Sequence, residues 1–489
     1  MKKILFILLV FIAASCSKDF EEMNTNVKSP EKVDGETLFS NAEKNLADQL
    51  ASINVNTNIW KIWSQYVTET TYTDEANYDI VNRSVPDNAY RTFYRNILRD
   101  LQEATAIMAE VEFAAPEDIA AKQNRLAIVE ILNVYSYARL VDIFGNIPYS
   151  DALNVDETTT PKYDDAATIY KDLFKRLDAA IAKLDDTNGS FGSADLFNGG
   201  DVAKWKLFAN SLKLRMAITV ADVPSLGSKA IAEAAYTAGV ISSNAENTAM
   251  VYLGASPNTN PLYLDLVASG RHDFVATSTI IDPMNNLADP RLGMYYTQVD
   301  TSTVDTITKL AFVGAPYGVN SPYPAYSHLS AQIENPTFEC MLMSFDEVEF
   351  LLAEAAERGY SVGGDAASHY DAAITASVEY WGGTTADATT YLANPDVAYA
   401  TAPGTWKEKV ALQSWISSFN RGFNGWTTWR RLDFPVLVIP PSPATEDGSV
   451  PVRFPYPVNE QTLNGANRSA AASAIGGDKM ITKLFWDVN

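Results

Sequence analysis

Apolar residues recur at helical spacing through one stretch after another, and that recurrence limits the fold to helices packed on helices. Behind Pro86, the residues Tyr90, Phe93, Ile97, Leu101 and Ile107 share one face of a predicted helix over 87–111. Leu126, Val129, Leu132, Val134, Tyr137 and Val141 repeat the pattern in 120–144, and amphipathic stretches follow at 166–184, 202–220 and 227–238. Helix returns at 344–358, where Ser344 and Glu347 have capping-box spacing and Val348, Leu351, Leu352 and Ala355 form a stripe. Further helices are predicted at 365–380 and 405–421. The expectation is a mainly α fold of tetratricopeptide-like helical hairpins, although no fixed-period repeat is visible.

Between the helical parts, 260–336 is rich in Pro, Gly, Asn, Ser and Tyr, which predicts loops with minor β such as 306–312. No Gly/Ser-rich or Pro-rich linker divides the chain. The expected body is a single unit over 37–489. Its helical scaffold lies mainly in 37–250 and 344–421, its loop-rich excursion in 255–340, and an irregular C-terminal region in 435–489.

The N-terminus sets where such a body works. Lys2 and Lys3 precede an apolar stretch over 4–14, shorter than the roughly 20 residues a membrane-spanning helix needs. Ala13, Ala14 and Ser15 lead directly into Cys16, as in a bacterial lipobox. A signal peptide over 1–15 and a lipidated tether over 16–36 are therefore expected; a plain secretory leader and an uncleaved one are the alternatives. Buried acyl chains contribute about 0.8 kcal/mol per CH2, so several on Cys16 hold a protein at a bilayer. The only other cysteine, Cys340 in TFECMLMSF, reads as a buried small hydrophobe. The net charge of −23 repels phosphate backbones, so nucleic acid is not an expected partner.

The segment IWKIWSQYVTETTYTDEANYD mixes aromatic and polar residues as a sugar or peptide platform does. Aromatic faces cover the apolar C–H patches of a pyranose while amides and carboxylates fix hydroxyls. Its candidates for ligand binding are Trp63, Tyr66, Tyr72, Asp74, Asn77 and Tyr78. Trp60 and Trp63, three apart, fit a helix core better. A second cluster, AFVGAPYGVNSPYPAYSHL, offers Tyr317, Tyr323 and Tyr326 on a loop stiffened by prolines, where surface packing is an equal alternative. Arg271 and Asp273 are candidates for polar orientation of the ligand. In FNRGFNGWTTWRRLDFP, Arg430 and Arg431 are expected to pair with carboxylates and anchor the C-terminal region.

Nothing in the sequence carries catalysis. Glu349 and Glu354 lack a defined partner geometry, and His272, His328 and His369 lack metal-ligand spacing. GGD at 199–201 and at 363–365 reads as turn-and-cap. No metal and no cofactor are expected.

Taken in order, several segments resemble the SusD/RagB family of nutrient-binding outer-membrane lipoproteins of Bacteroidota, most closely its second SusD-like branch. They are Cys16 with DFEEMN behind it, WSQYVTETTYTDEANY, YSYARLVDIFGNIPYSDAL, GGDVAKWKLFANSLKLRMA, ADPRL, SFDEVEFLLAEAAERGY, QSWISSFNRGFNGWTTWRR and VRFPYPVNEQTLN. The resemblance implies four tetratricopeptide-like units supporting an irregular ligand-binding part. It implies a lid over a SusC-like TonB-dependent transporter, to which the protein presents oligosaccharides or, in some members, peptides. It also implies surface display, with Asp19, Glu21 and Glu22 resembling an export signal behind the anchor. In the best-matching motifs, Asp142, Gly145, Pro148, Tyr149, Trp205, Asn210, Lys213 and Arg215 are expected to be structural. The reading is thus a non-enzymatic surface lipoprotein. A surface glycosidase or peptidase and a purely structural transporter subunit are the rivals from other classes.

Overall fold

A computed structural model of the chain describes residues 33–302 and 309–488. The leader, Cys16 and most of the tether lie outside the described residues, as do the first three positions of the expected β piece at 306–312.

Helix α1 (Gly35–Ala51) begins two residues ahead of the expected start, because the Asp34 carboxylate accepts from Thr37 N at 2.6 Å and caps it. The predicted helix over 87–111 is three segments: α2 (Val85–Arg91), a π-helical stretch (Thr92–Leu98) and α3 (Arg99–Glu110). Helix α4 (Pro116–Phe144) starts on proline and stops at Gly145, whose φ of 85° favours glycine. Then come α5 (Ala166–Ile181), α6 (Val202–Thr219), α7 (Ser228–Ala238), α8 (Phe345–Glu357), α9 (Ala366–Tyr380), α10 (Trp406–Ser417) and α11 (Gly422–Leu432). Both GGD segments behave as read: Asp201 caps α6, and Asp365 caps α9 in a reciprocal box with Ser368.

Two expectations are corrected. The helix over 405–421 ends at Ser417, and α11 follows as a separate element. The Ser344–Glu347 capping box does not form. The Ser344 hydroxyl accepts instead from the Arg421 guanidinium, and Glu347 is drawn to Arg215, 2.6 Å from its Nε. Both groups find a cation in the interior, a stronger partner than a backbone N–H.

Helices pack as sequential pairs, α1 on α3, α4 on α5, α6 on α7 and α8 on α9, with α10 on α11 closing the scaffold. This is the mainly α, tetratricopeptide-like architecture expected from periodicity. Strands are few and short: β1 (Val67–Glu69), β2 (Ile147–Pro148), β3 (Tyr163–Asp164), β4 (Thr248–Met250), β5 (Phe274–Ala276), β6 (Val299–Asp300), β7 (Leu310–Ala311) and β8 (Cys340–Met343). They form antiparallel pairs β1–β5, β2–β3, β4–β8 and β6–β7. Cys340 is a buried free thiol, as its apolar neighbours suggested.

The motifs that carry the family resemblance hold the scaffold together. Buried Arg430 donates from Nη1 to the carbonyls of Asp142 (2.6 Å) and Val452 (3.0 Å) and lies 3.6 Å from the Trp426 ring centre. Arg431 pairs with buried Glu354 at 2.7 Å, so the tandem arginines anchor the C-terminal region as read. Asp142 accepts from Tyr170 Oη at 2.6 Å and Trp486 Nε1 at 3.0 Å. Arg453, fully buried, donates to the Phe144 carbonyl at 3.0 Å and pairs with Asp478 at 2.9 Å. Buried charges of this kind persist because every one is paired or hydrogen-bonded.

Candidate functional site

The loop that leaves β1 forms one wall of a surface cleft, and the segment entering β5 forms the other. Pairing of β1 with β5 sets Glu69 opposite Phe274. The ladder continues outward, with Thr70 N donating to Asp273 O at 2.8 Å and Thr70 Oγ1 to His272 O at 2.9 Å. Residues 70–72 therefore run beside 271–273. The cleft between them has a volume of about 190 Å³.

Tyr72 stands at its rim, 72% exposed, at a φ of 55° that sends the chain sharply away from the strand. Arg271 and Asp273 line the same cleft and pair with each other at 2.5 Å. The Asp273 carboxylate, first by hydrogen bond and then by charge, holds the Arg271 guanidinium above its ordinary value. Asp74 reaches the cleft through Arg83, 3.8 Å away. Of the candidates read from sequence, then, Tyr72, Arg271 and Asp273 converge, with Asp74 alongside.

The remaining candidates are corrected. Trp63, Tyr66, Tyr78 and Tyr317 are all buried and present no face to a ligand. Trp63 packs edge-on to Trp426 (5.5 Å between ring centres) and Phe454 (5.1 Å), and its indole N–H donates to the Glu75 carbonyl at 3.1 Å. Tyr66 donates to the Trp415 carbonyl at 2.6 Å. Close approach of α11 requires glycine here, since a Cβ on Gly425 would stand 2.0 Å from Tyr66 Oη. Tyr78 and Tyr317 lie beside each other, 6.4 Å between centres. Asn77 is a staple between loops: its amide donates to the Thr73 carbonyl at 2.7 Å and to that of Gly318 at 2.9 Å, while its oxygen accepts from Ser442 N at 3.1 Å. The reason is common to all five. Loop chemistry identifies aromatic and amide side chains but not which face of the loop meets the core.

Tyr323 is half-buried with both ring faces covered, by His272 on one side and His328 on the other, each 4.3 Å between centres. The most exposed residue of this stack is His272. Tyr326 is half-buried and lies outside the cleft. Successive side chains of extended backbone point to opposite sides. Arg271 and Asp273 accordingly line the cleft, while His272 turns to the stack.

Sequence reasoning passed over the cleft's floor, which is Glu69, Glu75, Arg83 and Asp265. Arg83 Nε lies 2.5 Å from Glu75. Burial first, and then the charge of neighbouring Glu75, pushes the Glu69 carboxyl well above its ordinary value. Burial raises Asp265 as well, against a hydrogen bond from Asn54 Nδ2 at 3.2 Å. The available signal was the spacing of Glu69, Asp74 and Glu75 around Tyr72 in VTETTYTDE, which marks an acidic loop but not its inward turn. Among the described residues, no group of three or more His, Cys, Asp or Glu side chains is arranged to hold a metal ion, and no helix is long and apolar enough to cross a membrane.

Comparison with known proteins agrees with this architecture. The profile of the SusD-like_2 family, described as starch-binding and associating with the outer membrane, matches residues 26–457. A solved structure of a chitin-binding protein superposes with a TM-score of 0.80 at 27% identity, covering 93% of this chain and 100% of that one. A SusD homologue from Bacteroides uniformis does so with a TM-score of 0.77 at 26% identity, over 93% of this chain and 99% of that one. A chitin-binding SusD homologue from Flavobacterium johnsoniae shares the fold, with a TM-score of 0.76 at 24% identity over 93% and 99% of the two chains. A search of curated proteins finds no match. The chain thus belongs to the SusD/RagB family, in its SusD-like_2 branch.

Proposed function

We propose that this protein captures an oligosaccharide at the cell surface and delivers it to a SusC-like TonB-dependent transporter in the outer membrane. The observation that carries the reading is the exposed Tyr72 ring at the rim of a polar cleft that also holds Arg271 and Asp273. A sugar ring set on Tyr72 loses apolar contact with water, while the guanidinium and carboxylate beside it fix its hydroxyls. Arg271 is a ligand anchor held ready by Asp273, which limits the entropy lost on binding. Similarity to a chitin-binding protein makes oligomers of N-acetylglucosamine the first ligands to try.

In this reading the protein is a carrier and not an enzyme. Cys16 is its lipid anchor, residues 16–36 are the tether, and 37–489 is the body that closes over the transporter. Transfer follows when the body opens, because a ligand held between it and the barrel must lose contacts to move inward. The test is a screen of the full-length chain, purified in detergent, against glycan and peptide libraries, with retained material identified by mass spectrometry. Retention of intact glycan is expected. Retention of peptides alone, or the appearance of cleaved products, overturns the reading.

A further inference from the structure

A cavity of about 30 Å³ lies among α4, α6, α8, α10 and α11, shares no lining residue with the cleft, and is lined by hydrogen-bond donors left unused. Arg139 of α4 reaches it and is 5% exposed. Its guanidinium donates only from Nη2, to Tyr135 Oη at 3.0 Å and to Asn424 Oδ1 at 2.8 Å, so Nε and Nη1 have no hydrogen bond among the described residues. Arg215 of α6, also in the lining, has a buried Nη1 without a partner. Ser418, just past α10, and Thr428 of α11 are buried, and their hydroxyls hydrogen-bond to nothing among the described residues. Buried donors ordinarily find acceptors, and several left open at one place are costly.

The charges around the cavity are unbalanced in the same sense. Glu347 is shared by Arg215 (2.6 Å) and Arg421 (3.7 Å), and Arg421 also pairs with Asp346. Glu354 is shared by Arg431 (2.7 Å) and Arg358 (3.0 Å), and Arg358 also pairs with Asp222 (2.8 Å). Four guanidiniums thus meet four carboxylates, and Arg139 is a fifth with no carboxylate oxygen within 4.0 Å among the described residues. Asp142, one turn further along α4, accepts instead from Tyr170 and Trp486. We propose that the cavity is a binding site for chloride, which accepts from Arg139, Arg215 and the Ser418 and Thr428 hydroxyls and supplies the missing negative charge. A water needs about 10–15 Å³ of such space, so the cavity has room for a monatomic anion and little more. A water also brings two hydrogens that need acceptors, and the carboxylates of the lining are already engaged; a halide only accepts. The net charge of −23 opposes anions at long range, but salt screens it beyond about 10 Å at 0.1 M. The bound ion joins α4, α6, α10 and α11, so chloride stabilises the scaffold and leaves the cleft unchanged.

The experiment is a thermal melt of the full-length chain in detergent, with sodium chloride replacing sodium isethionate, an anion too large for the cavity, at constant ionic strength. It is run on the wild type, Thr428→Val and Arg139→Met, and crystals of the wild type soaked in sodium bromide are measured for anomalous scattering. The wild-type Tm is expected to rise with chloride and to saturate. Thr428→Val raises the half-saturating chloride concentration at least about tenfold, the factor one hydrogen bond to a charged group supplies. Arg139→Met abolishes the dependence; should that variant fail to fold, Thr428→Val and the bromide crystals decide. An anomalous peak between Arg139 and Arg215 is the expected crystallographic result, and its absence overturns the proposal. A chloride effect of equal size in the wild type and Thr428→Val is a general salt effect and overturns it as well. A bromide peak with a Tm indifferent to chloride marks binding at crystal concentration only, which also overturns it.

Discussion

Tyr72→Ala separates ligand recognition from stability more cleanly than any other single change in the cleft. The side chain is 72% exposed, so its removal deletes little packing. Its φ of 55° is as unfavourable for Ala as for Tyr, so the backbone term cancels. The change in unfolding free energy is therefore expected to stay within about 0.5 kcal/mol, as for other surface positions free of special contacts. Binding is different, because the ring is the one large aromatic face the cleft rim offers a sugar. Loss of such an anchor costs about 1.4–2 kcal/mol, or about 10- to 30-fold in Kd. The control is Tyr317→Ala: that ring is buried, and truncation costs about 3–5 kcal/mol of stability. Titration with the best glycan from the screen reads the first effect, and urea unfolding the second. An unchanged Kd for Tyr72→Ala would refute the placement of the ligand on this ring.

Four other outcomes follow from the same contacts. Gly425→Ala places a Cβ 2.0 Å from Tyr66 Oη and must displace a buried ring, an overpacking cost of about 1–3 kcal/mol measurable by urea unfolding. Arg431→Met takes from buried Glu354 one of its two guanidinium partners, Arg358 remaining 3.0 Å away, and is expected to cost about 1.5–3 kcal/mol in urea unfolding. For His369, burial lowers the imidazole's proton affinity, but the Glu349 carboxylate 2.7 Å from Nδ1 outweighs it and the net shift is upward from 6.5. A folded-state value above the unfolded one gives stability fully present below about pH 6.5 and lost as pH rises through the folded value; the deficit of His369→Gln in urea unfolding should shrink as pH rises above about 6.5. Cys16→Ala should release the protein from membranes on fractionation; persistence in the detergent-dependent fraction would contradict the anchor.

Periodicity made the scaffold legible. The face of Leu126, Val129, Leu132 and Val141 is set by burial alone, and α4 formed where that pattern lay. Its N-terminal extension to Pro116 was invisible because the first turns carry acidic residues and no stripe. The π-helical stretch over Thr92–Leu98 has no sequence signature of that kind, so 87–111 read as one uniform helix. At Ser344, local spacing suggested a cap, but two arginines distant in sequence outbid the backbone for both members of the box.

The cleft was half legible for a related reason. Tyr72, Arg271 and Asp273 were found because exposed loop residues of those types suit ligand recognition. Trp63, Tyr66, Tyr78 and Tyr317 have the same chemistry, yet their burial depends on partners such as Trp415, Trp426 and Phe454, more than 130 residues away along the chain for every such pair named. Glu69 escaped notice because in a sequence it resembles any solvated strand residue. Only the inward turn of the β1 end shows it to be buried beside Glu75.

The measurement that bears most directly on the whole account is equilibrium binding of intact oligosaccharide to the full-length chain, wild type against Tyr72→Ala. Saturable binding of uncleaved glycan that weakens about 10- to 30-fold in the variant, with both proteins equally stable, is the expected result. Glycan binding that ignores the substitution, or a wild type that retains only peptides, would contradict it.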